Sequence, residues 1–308
     1  MKILVTGGAG FIGSHVVRLL MFEGHDVTVL DNFSTGDRSH LPAGGFDLWA
    51  MDVRTEEARI KMLSVPFDGI VHLAAQTMVD SSILDPLFDA QQNVMGSVNV
   101  LEAARRTGAR VIFASTAAAY GDVTEDMLPV REDTPLHPQS FYGLTKVTVE
   151  HYLELYHRIY GLNYVVLRFA NVYGERQGDK GEGGVISIFC KRVAKNLPIT
   201  IFGDGGQTRD FVYAGDIARG IYAALTTDSV NTVYNLSTAT ETSLHQLVDD
   251  IAAAAGHEIQ PAFAEPREGD IYRSMLSNAQ AAAGLGWHPE MALKEGLART
   301  YQYFLTLK

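Results

Sequence analysis

The sequence predicts an α/β protein: a doubly wound parallel sheet followed by a smaller, mixed α/β C-terminal domain. Three observations predict it. Short β-branched runs alternate with longer amphipathic ones through the first half, a glycine-rich turn stands at the first strand-to-helix crossover, and the alternation loosens after Asn171. Strands separated by helix-length segments imply parallel pairing, with helices covering both faces. Lys2–Thr6 reads as the first strand, Phe11–Glu23 as a helix and Asp26–Leu30 as the second strand. Further strands are expected at Gly69–Leu73, Arg110–Ser115 and Asn163–Phe169, with helices at Pro86–Arg106 and Ser140–Ile159 between them. Beyond Asn171 the glycines of 178–184 and 203–206 mark loops. Helices are expected again at Val185–Asn196, Gly215–Leu225, Leu244–Ala255 and Leu293–Phe304. No repeat or Pro/Ser-rich linker interrupts the chain, so the second domain should pack closely on the first.

The 308 residues are 46% hydrophobic and 20% charged, enough to bury a large core in one large or two intimate domains. A net charge of −11 argues against nucleic acid or an anionic membrane as the main partner. An anionic substrate would have to be held by local arginines against that field. Cys190 is the sole cysteine, which excludes an internal disulfide and a thiolate metal cluster. It reads as a buried small hydrophobe. The start turns glycine-rich after three apolar residues, too early for a signal peptide, and no apolar run approaches membrane-spanning length. The expectation is a cytoplasmic protein. Ten histidines form no ligand pattern, so no metal site is expected. Gly-x-Ser-x-Gly is absent, which leaves serine-hydrolase chemistry without support.

The first strand runs directly into Gly7-Gly-Ala-Gly10-Phe-Ile-Gly13 and then a helix. Glycines at this spacing permit a tight turn, let backbone N–H groups approach a pyrophosphate and allow close helix packing. Asp31 ends the second strand, eighteen residues past Gly13. An acid there accepts hydrogen bonds from ribose hydroxyls and repels a 2′-phosphate, which favours NAD over NADP.

Tyr142 and Lys146 stand four residues apart on an expected helix, so phenol and ammonium share one face. A free phenol titrates near pH ~10, and a fixed cation beside it favours the phenolate. That pair can serve as a general base. A hydroxyl from the Ser115-Thr116 pair could pass or hold the proton, with Thr116 the first choice and Ser115 the alternative.

With both signatures in place, the chain resembles the extended short-chain dehydrogenase/reductase family, within it the UDP-glucose 4-epimerase-like enzymes, over nearly its whole length. The resemblance implies a Rossmann-type cofactor domain over residues 1–171, rejoined by about 211–238, and a nucleotide-sugar domain over 172–308. Thr6–Gly13 is similar to the family's cofactor turn, with contacts from Gly7, Gly10, Phe11, Ile12 and Gly13. Asp31, Asn32, Ser34 and Gly36 resemble its ribose loop, and Asp52-Val53 its adenine contact. Leu73, Ala74, Ala75 and Gln76 match the strand under the nicotinamide side, with Asn93 on a helix near the cofactor. Ser115, Tyr142, Lys146 and Phe169 complete the implied cofactor set. Thr116, Tyr142 and Lys146 resemble the catalytic residues. On the sugar-nucleotide side the resemblance implies Thr116, Tyr142, Asn171 and Val185, Arg209 and Arg267 on the diphosphate, Asp270 on the uridine ribose, and Ser274. A homodimer pairing through the Tyr142 helix and its neighbour is also implied, with Tyr152, Tyr156, Ile159 and Tyr160 forming an apolar stripe.

The residues after Thr116 choose among reactions. Relatives that dehydrate or decarboxylate nucleotide sugars usually carry an acid two or three positions later, where this chain has Ala117, Ala118 and Ala119. Eliminating water needs a proton donor for the leaving hydroxyl. Epimerisation needs a base, a hydride acceptor and room for the keto sugar to turn. The expectation is C4 epimerisation of a UDP-hexose with tightly bound NAD. Another nucleotide-sugar oxidoreductase or dehydratase is the alternative, and a non-catalytic NAD sensor the remote one. In relatives the Ser274 position lines the sugar pocket, and a tyrosine there restricts the enzyme to unsubstituted hexoses. A serine leaves room for a 2-acetamido group, unless it is simply an exposed loop residue.

Overall fold

The computed structural model describes residues 1–178, 183–266 and 271–307. The first half runs β1 (Lys2–Thr6), α1 (Phe11–Phe22), β2 (Asp26–Asp31), β3 (Asp47–Ala50), α2 (Glu56–Leu63), β4 (Gly69–His72), α3 (Val79–Leu84), α4 (Pro86–Ala90), α5 (Gly96–Thr107), β5 (Arg110–Thr116), α6 (Phe141–Tyr160) and β6 (Tyr164–Phe169). The second half runs β7 (Asn171–Tyr173), α7 (Val185–Ala194), β8 (Thr200–Phe202), β9 (Thr208–Arg209), β10 (Phe211–Tyr213), α8 (Ala214–Thr226), β11 (Thr232–Leu236), β12 (Thr242–Ser243), α9 (Leu244–Ala255), β13 (Ala262–Ala264), α10 (Ala279–Leu285) and α11 (Leu293–Thr306).

Seven strands form one parallel sheet in the order β11-β6-β5-β4-β1-β2-β3. The chain winds outward from β1 in one direction and from β4 in the other, so the order reverses between them. Beyond the carboxyl ends of two such strands an open crevice forms, the place where α/β sheets bind ligands. Strand alternation sets the layers. Ile3 and Val5 meet Val17, Leu20, Ile217 and Ile221 from α1 and α8. Leu4 and Ile70 turn the other way, onto Val100, Leu101, Val149 and Leu153 from α5 and α6. A separate core joins α7, α9 and α11 through Phe189, Cys190, Leu247, Ile251, Leu297 and Phe304. Burial pushes the Cys190 thiol up to about 12. Among the described residues no helix is long and apolar enough to cross a membrane.

The structure departs from the expected elements in several places. The helix expected over Pro86–Arg106 is broken by a π-helical turn, Gln91–Met95, between α4 and α5. The wider turn swings Asn93 inward, where it is 2% exposed. The strand expected to reach Leu73 ends at His72, leaving Leu73–Gln76 as a loop beyond the carboxyl end of β4. Strand β3, Asp-Leu-Trp-Ala, has no β-branched residue to announce it. β11 is absent from the sequence-based expectation as well, though it pairs with β6 from Thr232↔Val165 to Leu236↔Phe169.

Helix α6 is the one that matters most for the site. Its Ser140 hydroxyl accepts from Gly143 N at 3.0 Å, and Gly161 ends it in the left-handed region at φ 73°. Its inner face carries Val149 and fully buried Leu153. Leu153→Ala should lower the unfolding free energy by about 3 kcal/mol in a urea titration. A loss below about 1 kcal/mol would show that this face does not anchor the helix.

Candidate active site

At the end of β1, Gly7 adopts φ +70° and its N–H donates to Leu30 O at 2.8 Å. A Cβ on Gly7 would stand 2.8 Å from Ala74 N, and one on Gly13 would strike the Gly7 carbonyl. Only glycine lets the turn fold this tightly against the loop after β4. The first α1 bond runs from Ser14 N to Gly10 O at 3.0 Å. The amides of Phe11, Ile12 and Gly13 precede it and point out of the helix end, a ready site for an anion.

The loop after β2 folds back over this turn. The buried Asp31 carboxylate accepts from Ala9 N at 2.9 Å and Phe33 N at 2.8 Å. Burial pushes its pKa up, and the two backbone bonds oppose the rise. Asp37 N donates to Ala9 O at 3.1 Å, and a Cβ on Gly36 would lie 2.8 Å from the Ala9 carbonyl carbon. Ser34 N donates to Asn32 Oδ1 at 3.0 Å, and Asn32 Nδ2 to Asp52 Oδ2 at 3.1 Å. The Arg54 guanidinium, at 2.9 and 2.7 Å, holds the Asp52 carboxyl down to about 2. Val53 is buried beneath α5, its carbonyl accepting from Asn99 Nδ2 at 3.1 Å.

On the other side of the crevice, Leu73 to Gln76 are half-buried. Asn93 reads both backbone groups of Gln76, accepting from its N–H at 2.8 Å and donating to its carbonyl at 3.0 Å. Beneath them His72 bridges Thr6 Oγ1 at 2.7 Å and Ser97 Oγ at 2.9 Å. Burial drives its pKa down to about 3, and the charge of Lys146 adds to the fall.

Strand β5 delivers the hydroxyl pair. Neighbours on a strand face opposite ways. The Ser115 hydroxyl is buried and donates to Glu150 Oε1, so any contact it offers a ligand is through backbone. Thr116, half-buried at the strand's exit, accepts from Ala118 N at 3.1 Å and caps the Ala117–Ala119 turn. Between the two candidates, Thr116 is the hydroxyl that faces outward. A Cβ on Gly143 would stand 2.7 Å from the Ala118 carbonyl, so α6 starts directly against this turn. That contact seats Tyr142 and Lys146 at the end of β5. Lys146 is 4% exposed; its Nζ donates to Ala114 O at 3.0 Å and lies 5.9 Å from the Tyr142 ring centre and 5.0 Å from that of Phe113. Burial pushes its pKa down to about 8, with Asp89 and Glu150 opposing.

Phe169 closes the end of β6, paired with Thr116 in register. Asn171 is exposed, and its N–H donates to Asp210 O at 2.9 Å. Arg209, half-buried in β9, donates from Nη1 to Thr208 O at 2.8 Å. The next residue, Asp210, gathers Thr238 N at 2.9 Å, Ala239 N at 3.1 Å and Leu276 N at 3.3 Å on its carboxylate. It ties the Arg209 strand to the segment carrying half-buried Ser274. Val185 opens α7 against the C-terminal core. Arg267 and Asp270 lie outside the described residues.

Three features escaped the sequence reading. A cleft of about 540 Å³ beside β9 is lined by Phe202, Gln207, Pro266, Ile271 and Tyr272, among others. The Gly203–Gly206 loop marked its rim, but the lining converges from distant segments. Asp89 and the Glu150–Arg168 pair are buried under the site. Their one sequence signal was spacing: Asp89 stands four before Asn93, and Glu150 four after Lys146.

Known proteins share this fold. Residues 3–237 match the NAD dependent epimerase/dehydratase family. The chain belongs to that family. A family relative, the UDP-glucose 4-epimerase of Mycolicibacterium smegmatis, is 39% identical across 99% of this chain and 98% of its own. The structure of UDP-glucose 4-epimerase from Thermotoga maritima with UDP-glucose matches with a TM-score of 0.96 at 40% identity, covering 100% of both chains. That of the Thermus thermophilus UDP-glucose 4-epimerase in complex with NAD matches at 0.91 and 41%, covering 99% of both. The Rossmann-type α/β fold expected from the sequence is the fold observed.

His72 gives the folded protein an acid-side liability. It protonates near 3 when folded against an ordinary 6.5, so between those values the unfolded chain binds the extra proton. Its contribution is complete above pH 6.5 and is lost as pH falls toward 3. His72→Gln should flatten the stability curve over that window in urea unfolding at stepped pH. An unchanged slope would mean the imidazole does not control it.

Proposed function

We propose that this chain interconverts UDP-glucose and UDP-galactose by inverting C4 through a transient 4-keto sugar, with NAD tightly held. The observation that carries this reading is the buried Lys146 ammonium, 5.9 Å from the Tyr142 ring centre, at the turn that Thr116 caps. The likeness to UDP-glucose 4-epimerases over the full chain supports it.

The crevice fits a dinucleotide. The amides of Phe11, Ile12 and Gly13 suit the pyrophosphate, and the close Gly7, Gly10 and Gly13 turn leaves room for it. Asp31 with Asn32, Ser34 and Gly36 suits the ribose, and Asp52 and Val53 the adenine. Leu73 to Gln76, Asn93, Ser115 and Phe169 line the nicotinamide side. When bound, NAD supplies a reversible hydride acceptor for C4.

Tyr142 Oη takes the proton of the C4 hydroxyl and later returns it. Lys146 stabilises the phenolate, and Thr116 Oγ1 holds the hydrogen bond along the path. Ala117, Ala118 and Ala119 carry no group that could protonate a leaving hydroxyl, which favours epimerisation over dehydration. Arg209 and, by the family resemblance, Arg267 bind the diphosphate. Asp270 takes the uridine ribose, Asn171 and Val185 flank the sugar nucleotide, and the Phe202 cleft offers a ring face to the base. Residues 1–171 with about 211–238 thus serve the cofactor, and the rest of 172–308 the sugar nucleotide. Binding energy from the nucleotide positions the sugar.

A second copy of the chain suits the outer face of α6, where Tyr152, Ile159 and Tyr160 of the expected stripe, joined by Leu155, are 38%, 59%, 53% and 40% exposed, while Tyr156 is half-buried with its hydroxyl donating to Glu102 Oε1 at 2.8 Å. We read the protein as a cytoplasmic homodimer, a reading supported by that face and by the lone, buried cysteine.

Purified protein given UDP-glucose and no added cofactor should yield UDP-galactose. Tyr142→Phe should lower kcat about a thousandfold with the fold intact. Turnover that needs stoichiometric free NAD(P)H would instead favour an oxidoreductase of the same family. The small side chain at Ser274 favours acceptance of UDP-N-acetylglucosamine as well. Ser274→Tyr should suppress that substrate while sparing UDP-glucose, and equal effects on both would sink this extension.

A further inference from the structure

Strand β6 contributes one cation that joins both halves of the site. Arg168 pairs with Ser115 in the β5–β6 register, one residue before the level of Thr116. It is 4% exposed, and its guanidinium holds two segments at once. Nε and Nη2 donate to the two Glu150 oxygens at 3.1 and 2.6 Å, and Glu150 lies one turn after Lys146 on α6. Nη1 donates to Tyr120 Oη at 2.9 Å, and the guanidinium carbon lies 4.8 Å from the Tyr120 ring centre. Tyr120 closes the Ala117–Ala119 turn that Thr116 caps, its N–H bonded to Ala117 O at 3.1 Å. One planar group therefore touches the helix that carries Tyr142 and Lys146 and the turn that carries Thr116.

Stability alone is a poor explanation for such a pair. Taking a guanidinium and a carboxylate out of water offsets most of their attraction, and apolar side chains of similar volume fill such a place as well or better. Apolar side chains cannot fix a direction. A guanidinium presents its donors in a rigid fork, so its bonds to Glu150 and Tyr120 set where the two segments stand relative to each other. Both contacts are tied further. The Tyr120 hydroxyl accepts from Arg168 and donates to Asn235 Oδ1 at 2.7 Å, and the Ser115 hydroxyl donates to Glu150 Oε1. A satisfied buried network of this kind is stiff.

We propose that Arg168 and Glu150 form a bracket that sets the distance from Thr116 to Tyr142, with Tyr120 as its contact on the hydroxyl turn. All three are positioning residues, acting through Thr116 and Tyr142 rather than on the reacting atoms. The proposal rests on the reading of Thr116 and Tyr142 as hydroxyl and base, and its test is separable from that reading.

The double variant Glu150→Leu/Arg168→Met replaces the pair with apolar side chains and strands neither charge. It should melt close to the unaltered protein, lower kcat about tenfold and leave KM for UDP-glucose within about twofold, because the nucleotide contacts stay in place. A folded double variant with unchanged kcat would overturn the proposal. Tyr120→Phe carries the test if the double variant does not fold, since it keeps the ring and the ion pair and removes one hydroxyl. It should lower kcat about fivefold in the unaltered chain and leave kcat nearly unmoved in a Thr116→Ala background, where no hydroxyl remains to be placed. Equal losses in both backgrounds, or no loss in either, would sink the bracket, because a merely structural tyrosine has no reason to act through Thr116. Tyr142→Phe reads the base separately. If it keeps its turnover, the reading beneath the proposal fails; if it loses turnover while the double variant keeps its own, the bracket alone fails.

Discussion

A lysine ammonium shut away from water is the constraint on which the rest of the site depends. An isolated buried charge of this kind costs far more than a small domain's net stability unless it is compensated. Around Lys146 the compensation comes from several directions: the Ala114 carbonyl at the end of β5, the faces of Phe113 and Tyr142, and carboxylates from α4 and α6. Each source fixes a different element. The carbonyl fixes the height of α6 along β5, and the absent side chain of Gly143 fixes its distance from the Ala118 turn. The distance from phenol to hydroxyl is then a consequence of packing rather than of chance. Tyr142, one turn before Lys146, is held by the same packing.

The same helix is tied to the far edge of the sheet by a buried polar chain. Glu150 is bonded to Arg168, whose Nη1 reaches Tyr120 Oη at 2.9 Å and Glu132 O at 3.2 Å. Tyr120 passes the chain on to Asn235 Oδ1 at 2.7 Å, in β11. Removing one member of such a network strands a charge, so its members stand or fall together. This explains how a strand contributed by the second half of the sequence becomes part of the catalytic half. β11 completes the sheet by hydrogen bonds, and Asn235 also connects it to the helix that carries the base.

What the sequence disclosed was whatever chemistry is local. The glycine turn, Asp31 and the Tyr142–Lys146 pair each declare themselves within one turn or one crossover, and their geometry followed. The counter-charges did not, because a carboxylate means nothing until its partners are known. Asp89 meets Thr145 across 56 positions and Glu150 meets Arg168 across 18. The π-helical turn was invisible for a related reason: the helical periodicity of Pro86–Arg106 is compatible with one extra residue, and the inward pull on Asn93 comes from Gln76. β3 was missed because its pairing with β2, and not its composition, makes it a strand. Ser115 and Thr116 were equivalent in sequence, and strand alternation separates them, turning one hydroxyl to Glu150 and leaving the other at the strand's exit.

The two sides of the crevice are held by different means, and the difference bears on how substrate choice could vary. Around Lys146 buried side chains bond both one another and main-chain carbonyls, so each residue identity is constrained by its partners. On the sugar side Asp210 grips main-chain N–H groups of Thr238, Ala239 and Leu276. Val130 N likewise bonds the Met275 carbonyl at 2.9 Å, and Ser277 N returns to the Val130 carbonyl at 2.8 Å. A wall fixed through its backbone keeps its path whatever side chains it presents. Position 274 sits in that wall, one residue before Met275, with neighbours held by the main chain. A change of side chain there leaves the main-chain path, and the Asp210 contacts beside Arg209, in place. The contacts that hold Lys146 and those that hold the Asp210 wall are therefore separate sets.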